Sequence, residues 1–246
     1  MNIRLFLLVV FAFIYLMAMP FVCAQLQEKK AIWDYPIKPG TEKWEKLENH
    51  AEMIEVCQIP NGILKSMITS DLITICLDYP LQTTFYANNN LQEGIKNVAA
   101  KFNGLQELFL RKDNAECLFE ILKAKNTEKI VADGSLSILK RGEMIVRQSL
   151  VEALLSHELI LANMSIEQQK DIATIAIRNM TIKEQKPEVY SKYSLESSAY
   201  HLCAILKKID KNSFTPNMES FFKSGTLQNV TLLDELKQNY FKSITQ

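Results

Sequence analysis

The stretch IPNGILKSMITSDLITICLDYP, Ile59 to Pro80, decides how this chain folds. It is punctuated three times: by Ile59-Pro60-Asn61-Gly62, by Thr69-Ser70-Asp71, and by Pro80. Between the marks lie two apolar runs at helical spacing: Ile63, Leu64 and Met67, then Leu72, Ile75, Cys76 and Tyr79. Pro60 is preorganised for a first helical turn, which predicts a short helix over Asn61–Met67. Thr69 or Ser70 is placed to cap a second, about Asp71 to Asp78, with Asp71 near the positive end of the helix dipole. Pro80 blocks its continuation. Helices this short do not persist alone in water. The stretch therefore reads as two helices folded against each other inside a larger helical protein.

The same period runs outward in both directions. Gly and Pro number only 7 each in 246 residues, and no long alternating run suggests a strand. Residues 25–40 read as an extended lead-in, because Pro36 and Pro39-Gly40 interrupt any helix. Thr41 then caps a predicted helix to about Cys57, with Trp44, Leu47, Ala51 and Ile54 on one face. Residues 81–87 fit a short helix or a loop. From the cap cluster Asn88-Asn89-Asn90 runs a stripe of Leu91, Ile95, Val98, Phe102, Leu105 and Phe109. It is one helix crossing Asn103-Gly104 or two helices in register. Asp113 and Glu116 have the spacing of a capping box.

Lys125 to Ser135 is polar, with an Asp133-Gly134 turn signal, and marks a weak boundary. Beyond it the spacing predicts helices over about Glu143–His157, Ser165–Lys186, Leu195–Asp210 and from Thr215-Pro216 to Gly225. A last helix starts near Val230. Ser165 with Gln168 forms a capping-box pair, and Ser194 is the expected cap of the third. Short links favour antiparallel neighbours. The expected fold is all-α: stacked antiparallel helical hairpins, arranged as a bundle or a short solenoid-like array. No repeat of fixed period is present. Residues 41–125 form one helical region and 126–246 a second, possible as one continuous domain.

The N-terminus predicts export. Arg4 precedes an apolar run from Leu5 to Met19, then Pro20 and Val22-Cys23-Ala24. That order is the order of a secretory signal peptide, with cleavage expected after Ala24. The run is short for a bilayer span, which takes about 20 residues. An uncleaved anchor or a lipid-bearing Cys23 are the alternatives; Val22 is large for the residue before a lipidated cysteine. The expected location is the periplasm, the cell surface or the extracellular space, with no stable membrane span after cleavage. Basic and acidic residues balance at 28 each, so the chain has no electrostatic footprint for nucleic acid. Cys57, Cys76, Cys117 and Cys203 remain after cleavage and allow three pairings, or buried free thiols. No CxxC is present to suggest a zinc or redox site.

Candidate chemistry is sparse. No Gly-rich phosphate loop, HExxH, EF-hand loop or GxSxG occurs, and no cofactor is indicated. His50, His157 and His201 read as partly exposed helix surface, with His157 at a helix C-terminus where a cation suits the dipole. The carboxylate pairs Glu42/Glu45, Glu48/Glu52 and Glu116/Glu120 lie near Lys or Arg, as on solvated faces. Trp33-Asp34-Tyr35-Pro36 places two aromatics in an extended segment. Trp33 and Tyr35 are thus candidate ligand-binding residues for a sugar or peptide, against a simpler role in pinning the lead-in to the first helices. The Asn-x-Ser/Thr sequons at Asn163, Asn179 and Asn229 fall in or beside predicted helices.

Several segments between residues 31 and 125 resemble an uncharacterised family of exported all-helical proteins of anaerobic gut bacteria. These are Trp33-Asp34-Tyr35-Pro36, Cys57-Gln58-Ile59-Pro60, Leu64-Lys65-Ser66-Met67, Cys76-Leu77-Asp78-Tyr79-Pro80, and Phe102 to Leu108 with Arg111-Lys112-Asp113. The resemblance implies export through a bacterial inner membrane and carries no activity. The expected function is a non-catalytic, exported helical protein that binds another protein or acts as a scaffold. Two other classes stay open: a hydrolase with a helical site using Cys76 or a carboxylate pair, and glycan binding through Trp33 and Tyr35. A concave pocket of convergent polar groups would favour the hydrolase.

Overall fold

The computed structural model describes residues 33–124, 127–210, 212, 214–229 and 231–244, and all of them belong to one compact unit. The expected signal peptide, residues 1–24, and the lead-in up to residue 32 lie outside the described residues. Among those described the regular structure is helical, with no strand. The all-α expectation holds, and neighbouring helices pack on one another as the short links require.

In the first half, the helix expected over 41–57 is divided. Helix α1, Glu42–Glu45, ends at Lys46, and α2, His50–Val56, restarts behind Asn49. The Asn49 side chain accepts from Glu52 N at 3.1 Å, and Glu52 reaches back to Glu48 N at 2.8 Å. This local cap competes with the helix and wins, because few apolar contacts hold residues 42–56: none of them is buried.

The opening stretch folds as α3, Asn61–Ser66, and α4, Thr69–Leu77. Pro60 is the N-cap of α3, as its fixed φ predicts. For α4 the cap is Ile68 rather than Thr69 or Ser70. The Thr69 hydroxyl is used elsewhere: it donates to Asp113 Oδ1 at 2.7 Å. Almost every residue of α4 is buried, so two and a half turns of helix form the floor of this half. Tyr35, Tyr79, Phe85 and Phe102 pack beside it, with the rings of Tyr79 and Phe102 stacked at 4.5 Å.

Residues 83–86 form the one-turn α5, and the long stripe is two helices, α6 (Leu91–Ala99) and α7 (Asn103–Leu110). Asn103 makes the break. Its side chain accepts from Ile59 N at 3.0 Å and donates to Ile59 O at 2.8 Å, closing the turn before α3. Helix α8 spans Asn114–Ala124 and α9 spans Thr127–Ala132.

The second half is built from α10 (Ile138–Leu155), α11 (Glu158–Leu161), α12 (Ile166–Gln185), α13 (Lys192–Ile209), α14 (Pro216–Ser224) and α15 (Thr231–Ile244). The Ser165–Gln168 capping box and the Gly225 C-cap, at φ 65°, occur where the pattern placed them. The cap of α13 is Ser191, three residues ahead of Ser194. Helix α10 begins at Ile138, capped by Ser137, five residues before the expected start. Helix α13 has six consecutive buried residues, His201–Leu206, which covers its full circumference. It is the central helix, and α10, α12, α14 and α15 surround it. That arrangement is a bundle.

The polar segment 125–135 does not separate two domains. Helix α10 packs on α4, α6 and α8 as well as on α13. Asn90 Nδ2 donates to Ser224 O at 2.7 Å, and Asn163 Nδ2 donates to Asn114 Oδ1 at 3.0 Å. Among the described residues no helix is long and apolar enough to cross a membrane.

Candidate functional site

The aromatic pair in the lead-in is divided by burial. Tyr35 is 3% exposed, and its hydroxyl donates to Ile75 O at 2.9 Å, capping a backbone carbonyl of α4. Burial pushes its phenol well above the ordinary range. Trp33 is half-buried and meets Tyr35 edge-on at 4.8 Å. The two rings therefore do not form an open stacking platform; Tyr35 anchors the lead-in to the core.

The candidate nucleophile Cys76 is also interior. Cys57, Cys76 and Cys203 are free and buried. Burial raises all three thiols, Cys57 to about 12, so none is poised as a thiolate. The carboxylate pairs face solvent or the half-exposed helix surface.

One of the three histidines, His201, departs from the surface role expected of them. His50 is exposed. His157 is the N-cap of α11, its Nδ1 accepting from Leu159 N at 3.4 Å, and its ring stacks on Phe109 at 4.0 Å. Desolvation there lowers its pKa, partly offset by Glu158. His201 is fully buried in the central helix, and neither ring nitrogen has a hydrogen-bond partner. Burial holds it at about 4, with Glu152 opposing and Lys183 adding to the shift.

His201 borders a buried network that the spacing of apolar residues did not announce. Glu152 on α10 and Lys183 on α12 form an ion pair at 2.9 Å with both side chains closed to solvent. Glu152 Oε1 accepts from Asn179 Nδ2 at 3.0 Å, and Oε2 accepts from Ser198 Oγ at 2.8 Å. Lys183 Nζ also donates to Ser194 O at 3.1 Å. Thr127 joins through Asn179 and Gln148, at 2.8 and 2.7 Å, and Tyr190 caps its carbonyl at 2.8 Å. Desolvation lowers the Lys183 pKa, while Glu152 opposes that shift.

Each helix contributes polar residues at i, i+4: Gln148/Glu152, Asn179/Lys183 and Ser194/Ser198. That spacing was visible, and a glutamate inside Leu150-Val151-Glu152-Ala153-Leu154 is the one signal that could have flagged it. A buried pair of this kind stabilises little against an apolar replacement, but removing one partner strands the other charge. Its members are closed to solvent, so the network sets the register of α10, α12 and α13 and offers no access to a substrate.

A small open recess lies between α14 and α15, where Asn217, Ser220, Thr226, Gln228 and Asn229 supply polar groups. Amides and hydroxyls there can hydrogen-bond a ligand. None of them takes or gives a proton near neutral pH. Among the described residues no group of three or more His, Cys, Asp or Glu could hold a metal ion.

Four exposed apolar side chains lie on or beside α4, α7, α11 and the start of α12. Ile68, Leu110, Leu159 and Ile166 are 48%, 74%, 47% and 66% exposed. Several contacts tie their segments together. Ile68 precedes Thr69, which bonds Asp113. Leu110 sits between Phe109, stacked on His157, and Arg111, whose carbonyl accepts from Asn163 Nδ2 at 3.3 Å. Beside them Glu107 pairs with Lys65 at 2.6 Å and Arg111 at 2.9 Å, which holds its carboxyl below the usual range. Compared with protein families, characterised proteins and solved structures, the chain matches none.

Proposed function

We propose that this chain is an exported, non-catalytic helical protein that binds another protein in the periplasm or at the cell surface. The observation that carries the reading is the junction patch: four large apolar side chains exposed on segments locked together by hydrogen bonds and a ring stack. A rigid apolar surface is suited to docking, since little ordering is lost on binding. The distribution of chemical groups favours binding over catalysis. The thiols of Cys57, Cys76 and Cys203 are buried and protonated, the Glu152–Lys183 pair is sealed, and the recess is lined by neutral groups, polar ones beside Phe221 and Leu232. Export rests on the charged, apolar and small-residue order of residues 1–24 and on the family likeness of residues 31–125.

A photo-crosslinking amino acid at position 110 or 159 tests the binding reading in cells. One discrete adduct from those positions, absent from a control at Phe241, is expected. No adduct, or the same adducts from all three, overturns it. N-terminal sequencing of the chain recovered outside the cytoplasm is expected to start at Gln25; a start at Met1 refutes the leader.

A further inference from the structure

Asn-Gly occurs twice in the chain, at Asn61-Gly62 and at Asn103-Gly104, and each asparagine is the first residue of a helix, α3 and α7. An asparagine amide ahead of glycine is open to attack by the glycine's own backbone nitrogen, because no Cβ blocks the approach. The attack needs a nitrogen free of a hydrogen-bond acceptor, a side chain free to turn, and room to close a ring. The fold grants these to one pair and withholds them from the other.

Asn103 is clamped. Its Oδ1 accepts from Ile59 N at 3.0 Å, its Nδ2 donates to Ile59 O at 2.8 Å, and its backbone N donates to Gln58 Oε1 at 3.1 Å. Gly104 is buried, and even a Cβ there would collide with the Phe102 ring and Ile59 Cδ1. Asn61 is open. Both Asn61 and Gly62 are exposed, and no atom lies within 4 Å of a Cβ added at Gly62. The Asn61 amide and the Gly62 N–H have no hydrogen-bond partner among the described residues, the second because it is an orphan donor of a first turn. Helix α3 has six residues and no side-chain cap, so that turn frays readily.

We propose that Asn61 is a self-modifying site of the folded protein, converted to a carboxylate through a cyclic imide, while Asn103 is held unreactive. Gly62 N gives up its proton to solvent and attacks Asn61 Cγ. The new N–C bond closes the imide, the Cγ–Nδ2 bond breaks, and the side-chain nitrogen leaves as ammonia. Water then opens the ring at either carbonyl, giving aspartate or the isomer whose main chain runs through the side-chain carbonyl. One water is consumed and one ammonia released, with no other reactant. The product changes its surroundings. A carboxylate at position 61 stands i, i+4 to Lys65, whose exposed side chain now pairs with Glu107 at 2.6 Å and can turn to either acid. The isomer's longer main chain cannot keep both Ile63 N and Leu64 N on Pro60 O at 2.9 Å, so the first turn of α3 opens. The reaction needs no partner, and its test is independent of the binding reading.

Peptide mass spectrometry of the chain as recovered from cells, aged at mildly alkaline pH with and without urea, tests it. In the folded chain the peptide carrying Asn61 is expected to gain about one mass unit progressively, with ammonia released in equal amount, while the peptide carrying Asn103 holds its mass. In urea the clamp is lost and both asparagines react at similar rates. Gly62→Ala, at an open helix position, slows the gain several-fold with unchanged far-UV dichroism. On anion exchange the aged native chain yields a more acidic form that runs with Asn61→Asp. An Asn61 peptide that holds its mass in the folded chain overturns the proposal, as does a gain indifferent to Gly62→Ala. Equal reaction of Asn103 in the folded chain, or unequal rates in urea, overturns the role of the clamp.

Discussion

Burial without a hydrogen-bond partner keeps the imidazole of His201 neutral, at about 4 against an ordinary 6.5. Glu152 draws the value up and Lys183 pushes it down, but desolvation dominates. The unfolded chain therefore takes up this proton first as the pH falls. Stability from the neutral histidine is complete above 6.5 and is lost progressively between 6.5 and 4, costing roughly 2 kcal/mol at pH 5. His201→Phe removes that slope. Urea titrations at pH 7 and pH 5 are expected to show a pH-dependent midpoint in the native chain and a markedly smaller difference in the variant. An equal difference in both would place the pH dependence elsewhere. Tyr35 teaches the same lesson with the opposite group: its ring looked available for a ligand, but the carbonyl of Ile75 claims its hydroxyl.

At the scale of elements, short helices hold because they are clamped. Helix α5 has one turn, and it stays helical against α6 because Gly94 lets the two backbones touch. A Cβ at position 94 would fall 1.9 Å from Phe85 O and 2.7 Å from Phe85 C, against backbone that cannot rotate away. Gly94→Ala is expected to destabilise by about 3 kcal/mol, the upper end of overpacking costs, despite alanine's better helix propensity. Chemical denaturation measures it; a stabilised variant would show that α5 is free to move. The caps followed a related logic. Ser165 and Thr215 stand where chain pattern alone placed them, because their partners lie within one turn. Thr69 did not cap, because Asp113, distant in sequence, competed for its hydroxyl.

For the molecule as a whole, the described residues belong to one compact unit, and Thr127 and Ile130 of α9 are buried in it. Helix α10 packs on first-half helices and on α13, and the Asn90–Ser224 and Asn163–Asn114 bonds join the halves again. Thermal unfolding is expected to be one cooperative transition, coincident by near- and far-UV dichroism. Two separated transitions, with the aromatic signals of Tyr35, Tyr79 and Phe102 lost in one of them, would restore the two-domain division.

The sequence by itself determined the helical class and most helix positions, because a period of 3.6 and the punctuation of Pro60, Pro80 and Gly225 are local properties. Only the tertiary structure decided that Glu152, Lys183 and Asn179 meet, that His201 is interior, and that α13 is central. It also tied the segments that carry Ile68, Leu110 and Leu159 through the Thr69–Asp113 bond and the Phe109–His157 stack. Those facts depend on which helix faces which across long separations, and a side chain's surroundings at such distances leave no trace in its neighbours along the chain.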